Sequence, residues 1–198
     1  RAYSYASAPD EKLLEIIYIN IPTGTLSPKL HQLKKGDKIQ IMKQATGYFT
    51  MEEVPDGKNL WMVATGTALG VFLALLKTDL PWQRFKKIVL VHGVRYSDEL
   101  IYQDLIQELN KTYPNQLSYI QTVTREKITD CFNYRIPIGI ESRDFQSYAN
   151  IEINEDSQFM LCGNPEMIKD TSVTLNSFGL QRNRRAKPGN ITVERYWL

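Results

Sequence analysis

Short apolar runs separated by turn residues occupy the first part of the chain. Residues 13–21 and 38–43 have the length and β-branched composition of strands. Gly24 and Gly36 lie in predicted turns, because glycine adopts positive φ without a steric penalty. Residues 27–33 predict a short helix, with a serine as its N-cap and a proline at its first helical position. Strands and turns of this kind are typical of an antiparallel barrel.

The remainder of the chain alternates apolar runs with amphipathic stretches. The predicted strands cover residues 59–64, 87–95, 117–124 and 158–162, and the predicted helices cover residues 67–77, 97–112 and 165–178. Such alternation predicts a parallel sheet with crossover helices on both faces. A ligand is then expected at the carboxyl ends of the strands. The change of pattern predicts two domains, 1–54 and 55–198.

Composition narrows the classes of protein. With 42% apolar and 23% charged residues, the chain can bury a core and is not a disordered tail. The net charge of +2 gives no reason to expect nucleic-acid binding, so any electrostatic recognition must come from local groups such as Arg182, Arg184, Arg185 and Lys187. His31 and His92 lack a second ligand at metal spacing, and no metal site is expected.

The cellular setting is also predicted. Two cysteines are too few for a disulfide framework, which favours a reducing cytoplasm. The longest apolar stretch, residues 69–76, is far shorter than the roughly 20 residues of a membrane span. We expect no membrane segment and no signal peptide. Because the first four residues resemble the interior of a motif, we also expect further sequence upstream.

Residues 64–70, ATGTALG, form a turn between an apolar strand and an apolar helix. Glycines there allow close approach to a ligand, and the unpaired N–H groups of a helix N-terminus suit a pyrophosphate. A tight turn without any ligand is the alternative. At the start of the chain, Arg1 and Tyr3 share one face of a strand, so a guanidinium could hold a pyrophosphate while the ring stacks on a flat cofactor. An ordinary strand edge is the alternative there.

Seven motifs then occur in one order along the chain. They are RAYS at 1–4, IYIN at 17–20, GTLS at 24–27, GT at 66–67, VHGVR at 91–95, CGNP at 162–165 and PGNITVERYW at 188–197. This series resembles the bacterial branch of the ferredoxin-NADP(H) reductase family over nearly the whole chain. Two departures are present: Ala68 replaces a glycine common in the phosphate turn, and Leu198 follows the aromatic residue at which many bacterial members end.

The resemblance implies the later part of an antiparallel FAD-binding β-barrel in residues 1–54, followed by a parallel-sheet NADP(H)-binding α/β domain in 55–198. It assigns catalytic roles to Ser4, Cys162 and Glu194. For FAD it implies Arg1, Ala2, Tyr3, Ser4, Ile17, Tyr18, Ile19, Asn20, Thr25, Leu26, Ser27, Thr67, Tyr196 and Trp197. For NADP it implies Gly66, Arg95, Tyr96, Thr124, Arg125, Arg135, Cys162, Gly163, Asn164 and Pro165.

Three of these residues also follow from physical chemistry. Arg95, Arg125 and Arg135 lie at or after strand ends, which meet at one edge of a parallel sheet, and arginines suit the 2′-phosphate that distinguishes NADP from NAD. Solvated surface cations are the alternative. A buried strand cysteine with no contact to a ligand is likewise the alternative for Cys162.

The implied function is electron transfer between NADPH and ferredoxin or flavodoxin, through hydride transfer at an FAD. We expect a monomer whose basic side chains, such as Arg182, Arg184 and Arg185, attract acidic carriers. Two alternatives stay open. The same architecture could reduce free flavins or a cytochrome, or the chain could act only as a nucleotide-binding module.

Overall fold

The computed structural model describes residues 2–44 and 46–195, with the backbone alone at Arg195. The predicted FAD ligands Arg1, Tyr196 and Trp197 therefore lie outside the described residues.

A parallel sheet of five strands forms the centre of the second part. The strands are β1 (Asn59–Thr65), β2 (Lys87–Val94), β3 (Leu117–Val123), β4 (Ser157–Gly163) and β5 (Ile191–Arg195). Their order is β3-β2-β1-β4-β5, and every neighbouring pair is parallel. The first four strands agree with the sequence prediction to within two residues at each end. The fifth was not predicted.

Seven α-helices accompany the strands in the described residues. They are α1 (Ser27–Gln32), α2 (Leu69–Leu76), α3 (Leu80–Arg84), α4 (Gln103–Thr112), α5 (Ile136–Glu141), α6 (Asp144–Ala149) and α7 (Pro165–Ser177). Short 3-10 turns at Gly66–Ala68 and Ser97–Glu99 follow β1 and β2. The short helices α3, α5 and α6 were missed, because five or six residues carry little periodic signal.

The sheet is buried on both faces, which explains its continuous apolar strands. In β1, Leu60 and Met62 belong to the core beneath α2, whereas Trp61 and Val63 belong to the core on the opposite face. A strand covered on both sides has no polar face, so its sequence shows an apolar run without alternation.

The strand order places a cleft at one edge of the sheet. From β1 the chain moves outward to β2 and β3, and it then returns to form β4 on the other side of β1. Loops leaving β1 and β4 therefore diverge at their carboxyl ends. That divergence opens the crevice in which such sheets bind ligands.

The described residues of the first part, up to residue 54, form one isolated bridge and no strand of greater length. One antiparallel bridge joins Tyr5 to Ile16, and the predicted strand at residues 38–43 forms no ladder with any described residue. The predicted strand at 13–21 is reduced to this single bridge and the one at 38–43 is not formed, because a strand requires hydrogen-bonded neighbours along its length as well as a suitable composition. Ser27 is also not a side-chain cap of α1; its Oγ instead accepts from Ile21 N at 3.0 Å.

Candidate active site

The cleft at the carboxyl edge of the sheet encloses about 520 Å³. Its lining includes residues that end or follow β1, β2, β3 and β4, among them Gly66, Arg95, Thr124 and Asn164. A second cavity of about 400 Å³ lies beside Arg143, among residues of α6 and those that follow it, and contains no predicted site residue. The first cavity is therefore the candidate nucleotide site.

A buried histidine forms a hydrogen bond with the main chain of the turn after β1. Gly66 has φ +55, a conformation that favours glycine, and its carbonyl oxygen lies 3.0 Å from His92 Nε2. Burial lowers the pKa of His92 to about 4, so the ring is neutral. Because a carbonyl only accepts, Nε2 carries the proton and Nδ1 is left as an acceptor.

His92 is the last member of a chain of hydrogen-bonded polar side chains, and the donor and the acceptor of each bond in this chain can be assigned. Tyr119 Oη lies 3.4 Å from His92 Nδ1, and the hydroxyl accepts from Gln103 Nε2 at 3.0 Å. Gln121 Nε2 donates to Gln103 Oε1 at 2.7 Å, and Cys131 Sγ donates to Gln121 Oε1 at 3.7 Å. Burial raises the pKa values of Tyr119 and Cys131, which keeps both as donors. All the bonds therefore run one way, towards the Gly66 turn.

The side of the cleft near β2 and β3 carries positive charge. Arg95 donates from Nη2 to Glu99 Oε1 at 2.9 Å, and Glu99 also lines the cleft. Arg125 and Arg135 are exposed, and neither forms an ion pair with any described residue. The structure thus brings together the three arginines predicted for a 2′-phosphate. Tyr96 and Thr124, which follow the same two strands, are exposed beside them.

The opposite side of the cleft is closed by the start of α7. Asn164 Oδ1 caps this helix by accepting from Glu166 N and Met167 N, at 2.7 and 3.3 Å. Pro165 occupies the first turn. Glu166 and Asp170 also line this side, so its charge disfavours a phosphate. The electrostatics thus direct phosphate groups towards the arginines.

Three predicted catalytic residues meet at one carboxylate. Glu194 Oε2 accepts from Ser4 Oγ at 3.3 Å and from Cys162 Sγ at 3.7 Å. Cys162 and Glu194 are register partners on β4 and β5, whereas Ser4 comes from the opposite end of the chain. Burial raises the pKa of Glu194, and the bonds from Cys162 and Ser4 partly oppose that shift. Cys162 is completely buried.

The predicted FAD segment runs alongside these groups. Tyr3, Ile17 and Tyr18 are half-buried, while Ala2, Ile19 and Asn20 are exposed. Tyr18, Ile19 and Asn20 form no backbone hydrogen bond with any described residue, so their N–H and C=O groups are available to a ligand. The side chains of Thr25, Leu26 and Thr67 are at least partly exposed, whereas Ser27 is buried.

The basic group at residues 182–187 lies elsewhere. These residues precede β5 and therefore lie at the amino edge of the sheet, opposite the cleft. Arg185 is also engaged: Nη2 donates to Glu53 Oε1 at 2.6 Å, and the guanidinium lies 4.3 Å from the Tyr48 ring centroid. Arg185 thus links the two parts of the chain, a role that sequence reasoning did not predict.

Sequence reasoning also missed residues inside the cleft. Thr65 Oγ1 accepts from Asn164 N at 2.8 Å and so joins the ends of β1 and β4. The buried hydroxyl of Thr122 lines the cleft and has no partner among the described residues. Glu99, which also lines the cleft, was missed as well, although it left a signal in the sequence: it stands four residues after Arg95, a spacing at which opposite charges often pair.

Comparison with known proteins defines the class first. A family model described as an oxidoreductase NAD-binding domain matches residues 62–173. That range runs from β1 into α7 and contains most of the cleft. The fold and the cleft are therefore those of an oxidoreductase that binds a nicotinamide nucleotide.

Relatives of known name narrow the class. The chain is 43% identical to the flavodoxin/ferredoxin–NADP reductase of Shigella flexneri and equally to that of Escherichia coli (strain K12), covering 100% of this chain and 80% of each relative. A crystal structure of a ferredoxin NADP+ reductase from Neisseria gonorrhoeae with bound FAD and NADP superposes with a TM-score of 0.93 at 33% identity, and again covers 100% of this chain and 80% of that one. The chain belongs to the flavodoxin/ferredoxin–NADP reductase family.

Membership confirms the predicted family, fold class and enzyme class, and FAD and NADP as the family's cofactors. In the described residues, no helix is long and apolar enough to cross a membrane.

Proposed function

We propose that this protein transfers electrons between NADPH and a ferredoxin or flavodoxin by way of FAD. The observation that carries the proposal is the meeting of Ser4, Cys162 and Glu194 next to the cleft that holds the Gly66 turn and the three arginines. FAD, when bound, supplies the chemistry that accepts a hydride from NADPH and releases electrons one at a time. The protein's residues bind and orient FAD and the nicotinamide nucleotide, and they exclude water from the site.

The cleft suits the phosphates of NADP. Arg95, Arg125 and Arg135 provide charge for the 2′-phosphate, and Arg125 and Arg135 form no competing ion pair among the described residues. Gly66, held by His92, lets the backbone approach a pyrophosphate. The partnerless hydroxyl of Thr122 lies in the same wall of the cleft. In this proposal Tyr96, Thr124, Gly163, Asn164 and Pro165 complete the NADP site.

The first part of the chain suits FAD. The main chain of residues 18–20 has unused donors and acceptors, and Ile19 and Ile21 are each 54% exposed. Apolar side chains beside unpaired backbone groups fit a large flat cofactor better than they fit water. In this proposal Ala2, Tyr3, Ser4, residues 17–20, residues 25–27 and Thr67 hold FAD, and the domains divide at residues 54 and 55.

The carboxylate of Glu194 is suited to proton handling in this site. Burial raises the pKa of Glu194, and the two hydrogen bonds that Oε2 accepts only partly oppose that shift, so the carboxyl group can hold a proton at a pH where a surface glutamate is ionised. Cys162 is buried under other atoms, so a nicotinamide can reach Sγ only after those atoms move.

Electron-carrier partners follow from the names of the relatives. Ferredoxins and flavodoxins are expected to be acidic, and Arg182 and Arg184 are exposed cations that could attract them. A monomer in the cytoplasm is part of the same proposal and rests on the sequence. Free flavins and a cytochrome are the rival acceptors. A direct comparison of ferredoxin, flavodoxin, free FMN and a cytochrome as acceptors separates them.

The test replaces Cys162 with alanine in the FAD-loaded protein. We expect reduction of the flavin by NADPH, followed by stopped-flow absorbance, to slow by about tenfold or more, equivalent to about 1.4 kcal/mol of barrier. NADP+ affinity should stay within a few fold, since the arginines are unchanged. Thr112→Ala, at an exposed position at the end of α4, is the control and should keep the parental rate. An unchanged rate in Cys162→Ala would make this cysteine a core residue only, and a chain that binds NADP+ but no FAD would support the nucleotide-binding alternative.

A further inference from the structure

Glu99 is the one carboxylate among the described residues that contacts a guanidinium of the arginine group in the cleft. Its Oε1 accepts from Arg95 Nη2 at 2.9 Å and from Nε at 3.2 Å, while its Oε2 accepts from the Arg95 backbone N at 2.9 Å. The Glu99 carboxylate thus accepts hydrogen bonds from three N–H groups of Arg95. This holds both the start of the turn after β2 and the side chain of Arg95.

The N–H donors of the Arg95 guanidinium that Glu99 does not use form a second pair of parallel donors, the free fork. A guanidinium has five N–H groups, and Glu99 uses the Nε proton and one Nη2 proton. Both Nη1 protons and the other Nη2 proton are left on the opposite edge. Two parallel bonds from that edge are the geometry in which arginine binds a phosphate. Glu99 therefore leaves Arg95 able to bind a phosphate and restricts its orientation.

We propose that Glu99 is a positioning residue, which orients the Arg95 guanidinium so that its free fork binds the 2′-phosphate of NADP(H). This inference rests on the proposed function, in which Arg95 is a 2′-phosphate ligand. The opposing effect is repulsion between the Glu99 carboxylate and the phosphate. That repulsion acts across the guanidinium, at a side chain that is 29% exposed and screened by solvent. Orientation is therefore the larger effect.

No other carboxylate among the described residues contacts the Arg95 guanidinium in place of Glu99. Glu126 accepts from the backbone N of Ser97 and so secures the same turn, but it has no contact with the Arg95 guanidinium. Asp98, next to Glu99 in the chain, is exposed and does not line the cleft. Asp98 therefore offers a control with an equal change of charge.

The experiment measures binding of adenosine 2′,5′-bisphosphate and of AMP to the full chain by calorimetry, since these two ligands differ only in the 2′-phosphate. Glu99→Ala should lower the affinity for the bisphosphate by about three- to tenfold. This is the range expected when one long side chain must be immobilised on binding. AMP should be unaffected. Glu99→Gln, which keeps an acceptor oxygen for Arg95, should recover most of the loss, and Asp98→Ala should match the parent.

A double-mutant cycle separates this inference from the proposed site. In an Arg95→Ala background, Glu99→Ala should cause no further loss of affinity for the bisphosphate. Tighter binding in Glu99→Ala, or unchanged binding, would overturn the positioning role. If Arg95→Ala itself leaves bisphosphate affinity unchanged, the proposed 2′-phosphate site is wrong. Thermal melting of each variant confirms that the fold is retained.

Discussion

At the scale of single residues, burial determines how His92 titrates. The ring is fully buried, and its pKa is lowered from 6.5 to about 4. Between these values the unfolded chain binds a proton that the folded chain does not. Stability is therefore complete above about pH 6.5 and is lost as the pH falls towards 4. The same residue supports the Gly66 turn, so acid should affect the nucleotide site through it.

His92→Gln tests this linkage, because glutamine keeps an N–H donor but does not titrate. The parent should lose on the order of 3 kcal/mol more stability than the variant between pH 6.5 and 4, although the variant is expected to be less stable by about 1 kcal/mol at pH 7. Urea denaturation at a series of pH values measures both effects. His31→Gln, at an exposed position in α1, is the control. Parallel pH profiles for His92→Gln and the parent would contradict the assignment.

At the scale of elements, the junction of β4 with α7 depends on a glycine. Gly163 has φ +127, and a Cβ there would overlap Thr65 Oγ1 and lie 3.1 Å from both N and O of Thr65. Close contact between the ends of β1 and β4 allows Thr65 Oγ1 to bond Asn164 N. The cleft wall next to Cys162 is therefore shaped by the lack of a side chain.

Gly163→Ala and Gly179→Ala form a matched pair, since both positions have positive φ but a Cβ at Gly179 would meet no atom within 4 Å. Gly179→Ala should cost about 1 kcal/mol, the backbone penalty alone. Gly163→Ala should cost roughly 3 kcal/mol, because overpacking against Thr65 is added, and it should also weaken NADP+ binding. Equal losses in denaturant unfolding would show that the contact between the two strands has no energetic importance.

At the scale of the whole molecule, charge differs between the two edges of the sheet. Arg95, Arg125 and Arg135 meet at the carboxyl edge, although 40 residues separate the first from the last. The basic group at 182–187 lies at the amino edge. Nucleotide binding and any attraction of acidic carriers by that group are therefore expected to involve separate surfaces.

Arg125→Gln/Arg135→Gln should raise the KM for NADPH by about tenfold or more and leave the KM for NADH within about twofold, because NADH lacks the phosphate that these residues bind. Lys86→Gln/Lys111→Gln removes the same charge from exposed positions remote from the cleft and serves as the control. Steady-state kinetics with both nucleotides give the comparison. Equal losses for NADPH and NADH would assign the arginines a structural role.

The sequence alone determined the parallel sheet and its cleft. Apolar runs of strand length and amphipathic stretches between them are local signals, and β1 and α7 were predicted to within two residues of their observed ends. The predicted arginines also meet, because the carboxyl ends of parallel strands share an edge.

Only the tertiary structure decided how distant side chains meet. Ser4 and Glu194 are 190 residues apart, and no local pattern indicates that they share a hydrogen bond with Cys162 beside them. Tertiary structure also produces the chain of hydrogen bonds from Cys131 to His92. The same is true of the contact between Arg185 and Glu53. In residues 38–43, strand-like composition produced no ladder. Propensity acts within a segment, whereas pairing and packing depend on which segments the whole fold brings into contact.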